Sequence, residues 1–76
     1  MMMLSHYKKL ENKKEGLLEE FRNHELSKKW YYDVNIASNK IIFRIMRYDK
    51  YGYPKERKAE IGLTDNLNFN TFLKTN

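Results

Sequence analysis

Cysteine is absent from this chain of 76 residues, and proline occurs once. Without cysteine there is no disulfide, no thiolate metal site and no thiol nucleophile. A chain this short buries only roughly 60% of its unfolded surface, and it has no covalent staple. Marginal size of that kind favours a homodimer or an obligate partner. The lack of cysteine fits a reducing compartment, so a cytoplasmic location is expected. No apolar run approaches the about 20 residues of a membrane-spanning helix; Ile41-Ile42-Phe43 is far too short. Residues 1–9 offer neither an apolar signal-peptide core nor a small-residue cleavage site, so no secretory leader is expected. Glycine is scarce as well: Gly16, Gly52 and Gly62 make no phosphate-cradling loop.

Acidic residues are in deficit, with 10 Asp and Glu against 15 Lys and Arg, a formal net charge of +5. The excess is local. Residues 40–58 hold Lys40, Arg44, Arg47, Lys50, Lys55, Arg57 and Lys58 against only Asp49 and Glu56, so the remainder is neutral in sum. Such a patch attracts polyanions or an acidic protein surface. It also keeps a small hairpin soluble, which is the plainer reading.

Residues 5–27 read as an amphipathic helix with Ser5 as its N-cap. Met3, Tyr7, Leu10, Lys14, Leu17, Phe21 and His24 follow steps of four and three, and Leu18 widens the stripe. Gly16 falls mid-helix and marks either a kink, a break or a close approach.

Residues 30–37, 41–49 and 56–63 read as three strands. Trp30, Tyr32, Val34 and Ile36 share one face, as do Ile41, Phe43 and Ile45, and then Ala59, Ile61 and Leu63. A two-residue turn at Ser38-Asn39 pairs Ile36 with Ile41, Val34 with Phe43 and Tyr32 with Ile45. The same register sets Asp33 opposite Arg44. The second connection, with Asp49-Lys50-Tyr51-Gly52-Tyr53-Pro54, is a run of turn formers. Pairing Asp49 with Lys55 brings Ile45 opposite Ala59, Phe43 opposite Ile61, Met46 opposite Lys58 and Arg44 opposite Glu60. Asp33, Arg44 and Glu60 then form one row across the outer face, a cross-strand stabiliser rather than a site. Residues 65–74 carry Leu67, Phe69, Phe72 and Leu73 among polar residues, read as a short helix capped by Asp65 or Asn68, or as an irregular tail.

The expected fold is therefore α+β over residues 1–76 as one small domain: a long N-terminal helix packed on a three-stranded antiparallel meander, with a short C-terminal helix or tail. The order of helix, three strands and short helix is similar to that of a double-stranded-RNA-binding domain. Strands followed by a tail resemble the arm-binding domains of phage integrases. Trp30 to Ile45, with Lys40-Ile41-Ile42-Phe43-Arg44, resembles the central strands of RelE-type ribonuclease toxins. These resemblances carry no functional residue onto the chain.

Catalysis is not expected. His6 and His24 lack ligand spacing for a metal, and Ser5, Ser27 and Ser38 occupy structural positions. No cofactor is implied. What remains is a basic hairpin with interleaved tyrosines. Arg44, Arg47, Lys50, Lys55, Arg57 and Lys58 would contact phosphates, and Tyr48, Tyr51 and Tyr53 would stack on bases. The leading expectation is a non-enzymatic nucleic-acid-binding module. The alternative is a phage or mobile-element protein that inhibits or adapts a host nucleic-acid-handling complex, docking its open sheet face with Tyr31 and Met46 as further anchors. A reduced RelE-like toxin is third.

Overall fold

The computed structural model describes residues 4–74. Helix α1 (Leu4–Asn23) is followed by a 3-10 turn (Glu25–Lys29), then β1 (Tyr31–Ala37), β2 (Lys40–Tyr48), β3 (Pro54–Ile61) and the short helix α2 (Phe69–Phe72). The sheet is an antiparallel meander in the order β1-β2-β3, with α1 packed on one face. The fold is α+β, as the alternation implies.

The helix forms from Leu, Lys and Glu, which lose little rotamer freedom in a helix. Its inward stripe is Leu10, Leu17, Leu18 and Phe21, all buried. Tyr7 is 41% exposed and lies off the core. Met3 lies outside the described residues. Ser5 is not the N-cap, because the helix already includes Leu4. The helix also ends sooner than residue 27. His24 is extended at φ −82, ψ 132, and its own side chain supplies the reason. His24 Nδ1 accepts from Leu26 N at 3.1 Å, while His24 O accepts from Ser27 N at 3.1 Å and Ser27 Oγ at 2.8 Å. These local bonds replace the next helical turn. Since Nδ1 accepts, Nε2 carries the proton, and it donates to Asn70 Oδ1 at 2.8 Å. One histidine thus ends the helix and ties it to the C-terminal segment.

Ser38 and Asn39 both adopt positive φ, 52° and 62°, as a two-residue hairpin turn of the primed kind requires. The β1–β2 register has Ile36 opposite Ile41, Val34 opposite Phe43, Asp33 opposite Arg44 and Tyr32 opposite Ile45, as the pattern implied. The β2–β3 register differs by two residues: Phe43 faces Ala59, Arg44 faces Lys58, Ile45 faces Arg57 and Tyr48 faces Pro54. The Asp33–Arg44–Glu60 row does not form, since Glu60 lies opposite Ile42. A shift of two keeps every side chain on its own face, so the apolar pattern cannot decide between the two registers. The turn decides. Asp49 accepts the backbone N–H groups of Tyr51 and Tyr53 through Oδ1, both at 2.9 Å, and Asp49 N donates to Tyr53 O at 2.9 Å. That closes the loop at Asp49–Tyr53 and starts β3 at Pro54 instead of residue 56.

After β3 the chain turns at Gly62, whose N–H donates to Asp65 Oδ2 at 2.7 Å. Asp65 therefore caps this turn and not α2. Asn68 is the cap of α2, accepting Thr71 N at 3.2 Å through Oδ1. Lys13 reaches from α1 to the same turn, donating to Gly62 O and Leu63 O at 2.9 Å each and to Asp65 O. The α2 segment brings Phe69 and Leu73 into the core at 2% and 0% exposure.

Gly16 does not break α1, which runs continuously from Leu4 to Asn23, and a Cβ there would meet nothing within 4 Å. Gly16→Ala is expected to stabilise the fold by about 1 kcal/mol, raising Tm by about 5 °C. Thermal unfolding followed by Trp30 fluorescence checks this; an unchanged or lowered Tm would mean that the glycine has a role the structure does not contain.

Candidate functional site

Strand parity divides the cations of the hairpin into two sets. Arg47 and Arg57 lie on the core face, continuing the rows of Ile41, Phe43, Ile45 and of Ile61, Ala59. There α1 no longer covers the sheet, and Trp30 fills the position, 6% exposed. The guanidinium of Arg47 lies 5.4 Å from the Trp30 ring centroid and that of Arg57 5.2 Å. An arginine can stack its planar head on an indole and still reach water or a carbonyl. Arg57 does so: Nη1 donates to Phe72 O at 2.7 Å. Trp30 Nε1 donates to Leu73 O at 3.3 Å. These contacts hold the last turn of the chain against the sheet, and both arginines are half-buried.

The other set faces outward. Arg44 and Lys58 sit side by side on the open face, with Asp33 across from Arg44. Lys58 Nζ is 3.4 Å from Glu60 Oε2, with both side chains about half exposed (51% and 46%), so the pair adds little stability. Tyr31, Asp33, Arg44, Met46, Glu56 and Lys58 line a shallow open-face depression of about 470 Å³. Met46 forms its floor between Tyr31 and Glu56. Tyr31 is 67% exposed.

The hairpin tip lies beyond the core. Every residue from Lys50 to Glu56 is exposed, and Tyr48, Tyr51 and Tyr53 present most of their surface to solvent. Lys50 Nζ stacks 5.2 Å from the Tyr51 ring centroid. Gly52 adopts φ +83, and its N–H donates to Asp49 O at 3.0 Å. The tip is thus ordered by backbone bonds and the Asp49 carboxylate, leaving the tyrosine and lysine side chains available. The Tyr53 N–H, the largest influence, holds the Asp49 carboxyl below the usual carboxylate range; desolvation opposes it, and the Tyr51 N–H and the nearby Lys55 and Arg47 add smaller lowering effects. The Asp49 carboxylate is thus committed to folding the loop.

The residues expected to contact a ligand therefore fall into three groups. Lys50, Lys55, Tyr48, Tyr51 and Tyr53 gather at the tip. Arg44, Lys58, Tyr31 and Met46 share the open face. Arg47 and Arg57 brace Trp30. The pattern missed the Trp30 brace and Lys13. Continuing the period of two from Ile45 to Arg47 would have found the first, and the spacing of Lys13, three after Leu10 and four before Leu17, would have flagged the second. Among the described residues, no three His, Asp or Glu side chains converge as metal ligands, and no helix is long and apolar enough to cross a membrane.

Arg57→Ala removes a charged donor and a stacked cation at once. It is expected to cost about 2 kcal/mol in urea unfolding and to shift Trp30 emission, whereas Lys55→Ala should change neither. The Asp49 contribution depends on pH. Because its folded pKa is depressed, the carboxylate supports the loop above the unfolded value and loses that support as pH falls through the lowered folded value. In an NMR titration, the Tyr51 and Tyr53 amide resonances should move together at acid pH. Asp49→Ala should abolish that transition and speed exchange of both amides. Neither protein-family models nor curated proteins nor solved structures match this chain.

Proposed function

We propose that this chain is a non-enzymatic module that binds nucleic acid through the tip of its β2–β3 hairpin. The observation that carries the reading is the tip itself: Tyr48, Tyr51 and Tyr53 exposed at 56%, 73% and 67%, beside Lys50 and Lys55. Exposed aromatic rings stack on unpaired bases, and neighbouring ammonium groups neutralise the phosphates between them. Arg44 and Lys58 extend the positive surface along the open face. Arg47 and Arg57 add to the field from behind, while their side chains serve the Trp30 brace. Single-stranded or unpaired segments suit this surface best, because stacking needs a free base face. The cysteine-free composition fits a reducing compartment, and the cytoplasm is the proposed location.

The depression around Met46 favours a second reading: a protein-binding inhibitor or adaptor, encoded by a phage or mobile element, that docks its open face on an acidic surface of a nucleic-acid-handling complex. Tyr31, Arg44, Met46 and Tyr48 would be its anchors. A pull-down after nuclease treatment separates the two, since only this second reading retains a partner.

Fluorescence anisotropy with labelled oligonucleotides tests the first. Affinity should fall steeply with salt. Replacing Lys50 and Lys55 together by Glu should weaken binding at least about tenfold, and each Tyr→Ala change at the tip should cost about 1–3 kcal/mol. Reversal of Lys8 and Lys9 on α1 is the control and should matter far less. Binding that survives the tip reversal unchanged would rule out the hairpin as the interface.

A further inference from the structure

The two edges of the sheet are unlike. β3 begins with Pro54 and carries Lys55, Glu56, Arg57, Lys58 and Glu60. Proline and dense charge are the usual guards of a free edge. β1 reads Tyr-Tyr-Asp-Val-Asn-Ile-Ala, with one charge and no proline. Among the described residues, no strand pairs with its outer side. Its core-face side chains, Tyr32, Val34 and Ile36, stand at the margin of the core. Val34 and Ile36 are only partly covered, and Tyr32 is 45% exposed.

From this asymmetry we infer that β1 is a self-pairing edge: two copies of the chain join β1 to β1 antiparallel about a twofold axis at Val34, making one six-stranded sheet. The backbone sets the register. A two-residue turn closes on Ala37 and Lys40 as a hydrogen-bonded pair, and antiparallel alternation then turns the N–H and C=O groups of Tyr32, Val34 and Ile36 outward. Centring the axis on Val34 pairs all three: Val34 with its own copy, and Tyr32 with Ile36 of the second copy. That register uses the whole strand, since Tyr31 meets Ala37 of the second copy. It brings the partly covered apolar side chains together on the helix-covered face.

Charge on the open face selects the same register. An axis at Asp33 would oppose two carboxylates. With the axis at Val34, Asp33 meets the uncharged Asn35 of the second copy, and Arg44 stays beside Asp33 on its other side. A chain of marginal size gains buried surface by this pairing. The assembly would carry two hairpin tips, one at each end.

Sedimentation equilibrium of the full chain over a concentration series, with two variants at Asn35, tests the pairing. Asn35 is exposed and on the open face, so neither variant disturbs the core; far-UV circular dichroism verifies the fold. Asn35→Asp sets two like-charge pairs across the axis and should weaken the dimer roughly fivefold. Asn35→Lys sets two opposite-charge pairs and should tighten it by a similar factor. A concentration-dependent dimer with these opposite shifts supports the proposal. A monomer throughout the series, including for Asn35→Lys, overturns it. So does a dimer indifferent to both variants, because such a dimer uses another surface.

Discussion

Phe43 is the point at which every layer of this protein meets. It lies at the middle of the central strand, opposite Val34 on one side and Ala59 on the other. It is fully buried. Its ring centroid lies 5.3 Å from Phe21 of α1, 5.6 Å from Phe69 and 5.8 Å from Phe72, with the Phe72 ring perpendicular at 90°. Tilted and edge-to-face pairs at such distances add to the value of burial alone. The small Ala59 is what allows the C-terminal rings to approach from that side. A chain without disulfide or metal must obtain its cooperativity from one shared cluster. Here the helix, all three strands and the terminal segment share this one.

Moving along β2 away from Phe43, the core thins and its chemistry changes. Ile45 is still sealed, but the next inward position is Arg47, and the position opposite Ile45 is Arg57. An aliphatic residue there would face solvent beyond the end of the helix cover. A guanidinium resolves the conflict, because it lies over Trp30 in both arginines, and in Arg57 it also donates to the Phe72 carbonyl. The cost is positive charge on the inner face, and it accounts for part of the basic excess without any ligand. The functional surface is then smaller and sharper than the composition alone implies: it is the set of cations whose strand parity or loop position turns them outward.

The features that were legible in the sequence share a cause. Helix, strands, core face and the β1–β2 register each follow from a strict period with a turn of fixed length, and a slip of one residue would expose Val34 and Phe43 together. The β2–β3 register was not legible, because a slip of two costs nothing in pattern. Only the hydrogen bonds of Asp49 distinguish the alternatives. The end of α1 depends on a histidine side chain acting as a cap, which competes with a stripe that includes that same histidine. Asp65 and Asn68 were equivalent candidates for capping until Gly62 and Thr71 supplied the donors that separate them. At the candidate site, the tip residues followed from composition, while the division between Arg44 and Arg47 needed the inner face to be traced past the apolar residues.

Order at the hairpin tip comes from groups other than those it displays. Its carbonyl and amide bonds, together with one carboxylate, determine the path of the chain from Asp49 to Tyr53. Three tyrosines and two lysines project from a backbone that would hold its shape without them. A surface built this way carries little of the stability of the fold, so its side chains can be exchanged without loosening the cluster around Phe43. The reverse holds for Trp30, Arg47 and Arg57, where an aromatic ring and two cations are committed to packing. Cations and aromatic rings thus have two separate physical roles in one hairpin: strand alternation separates Arg44 and Lys58 from Arg47 and Arg57, and the loop carries Lys50, Tyr51 and Tyr53 beyond the core.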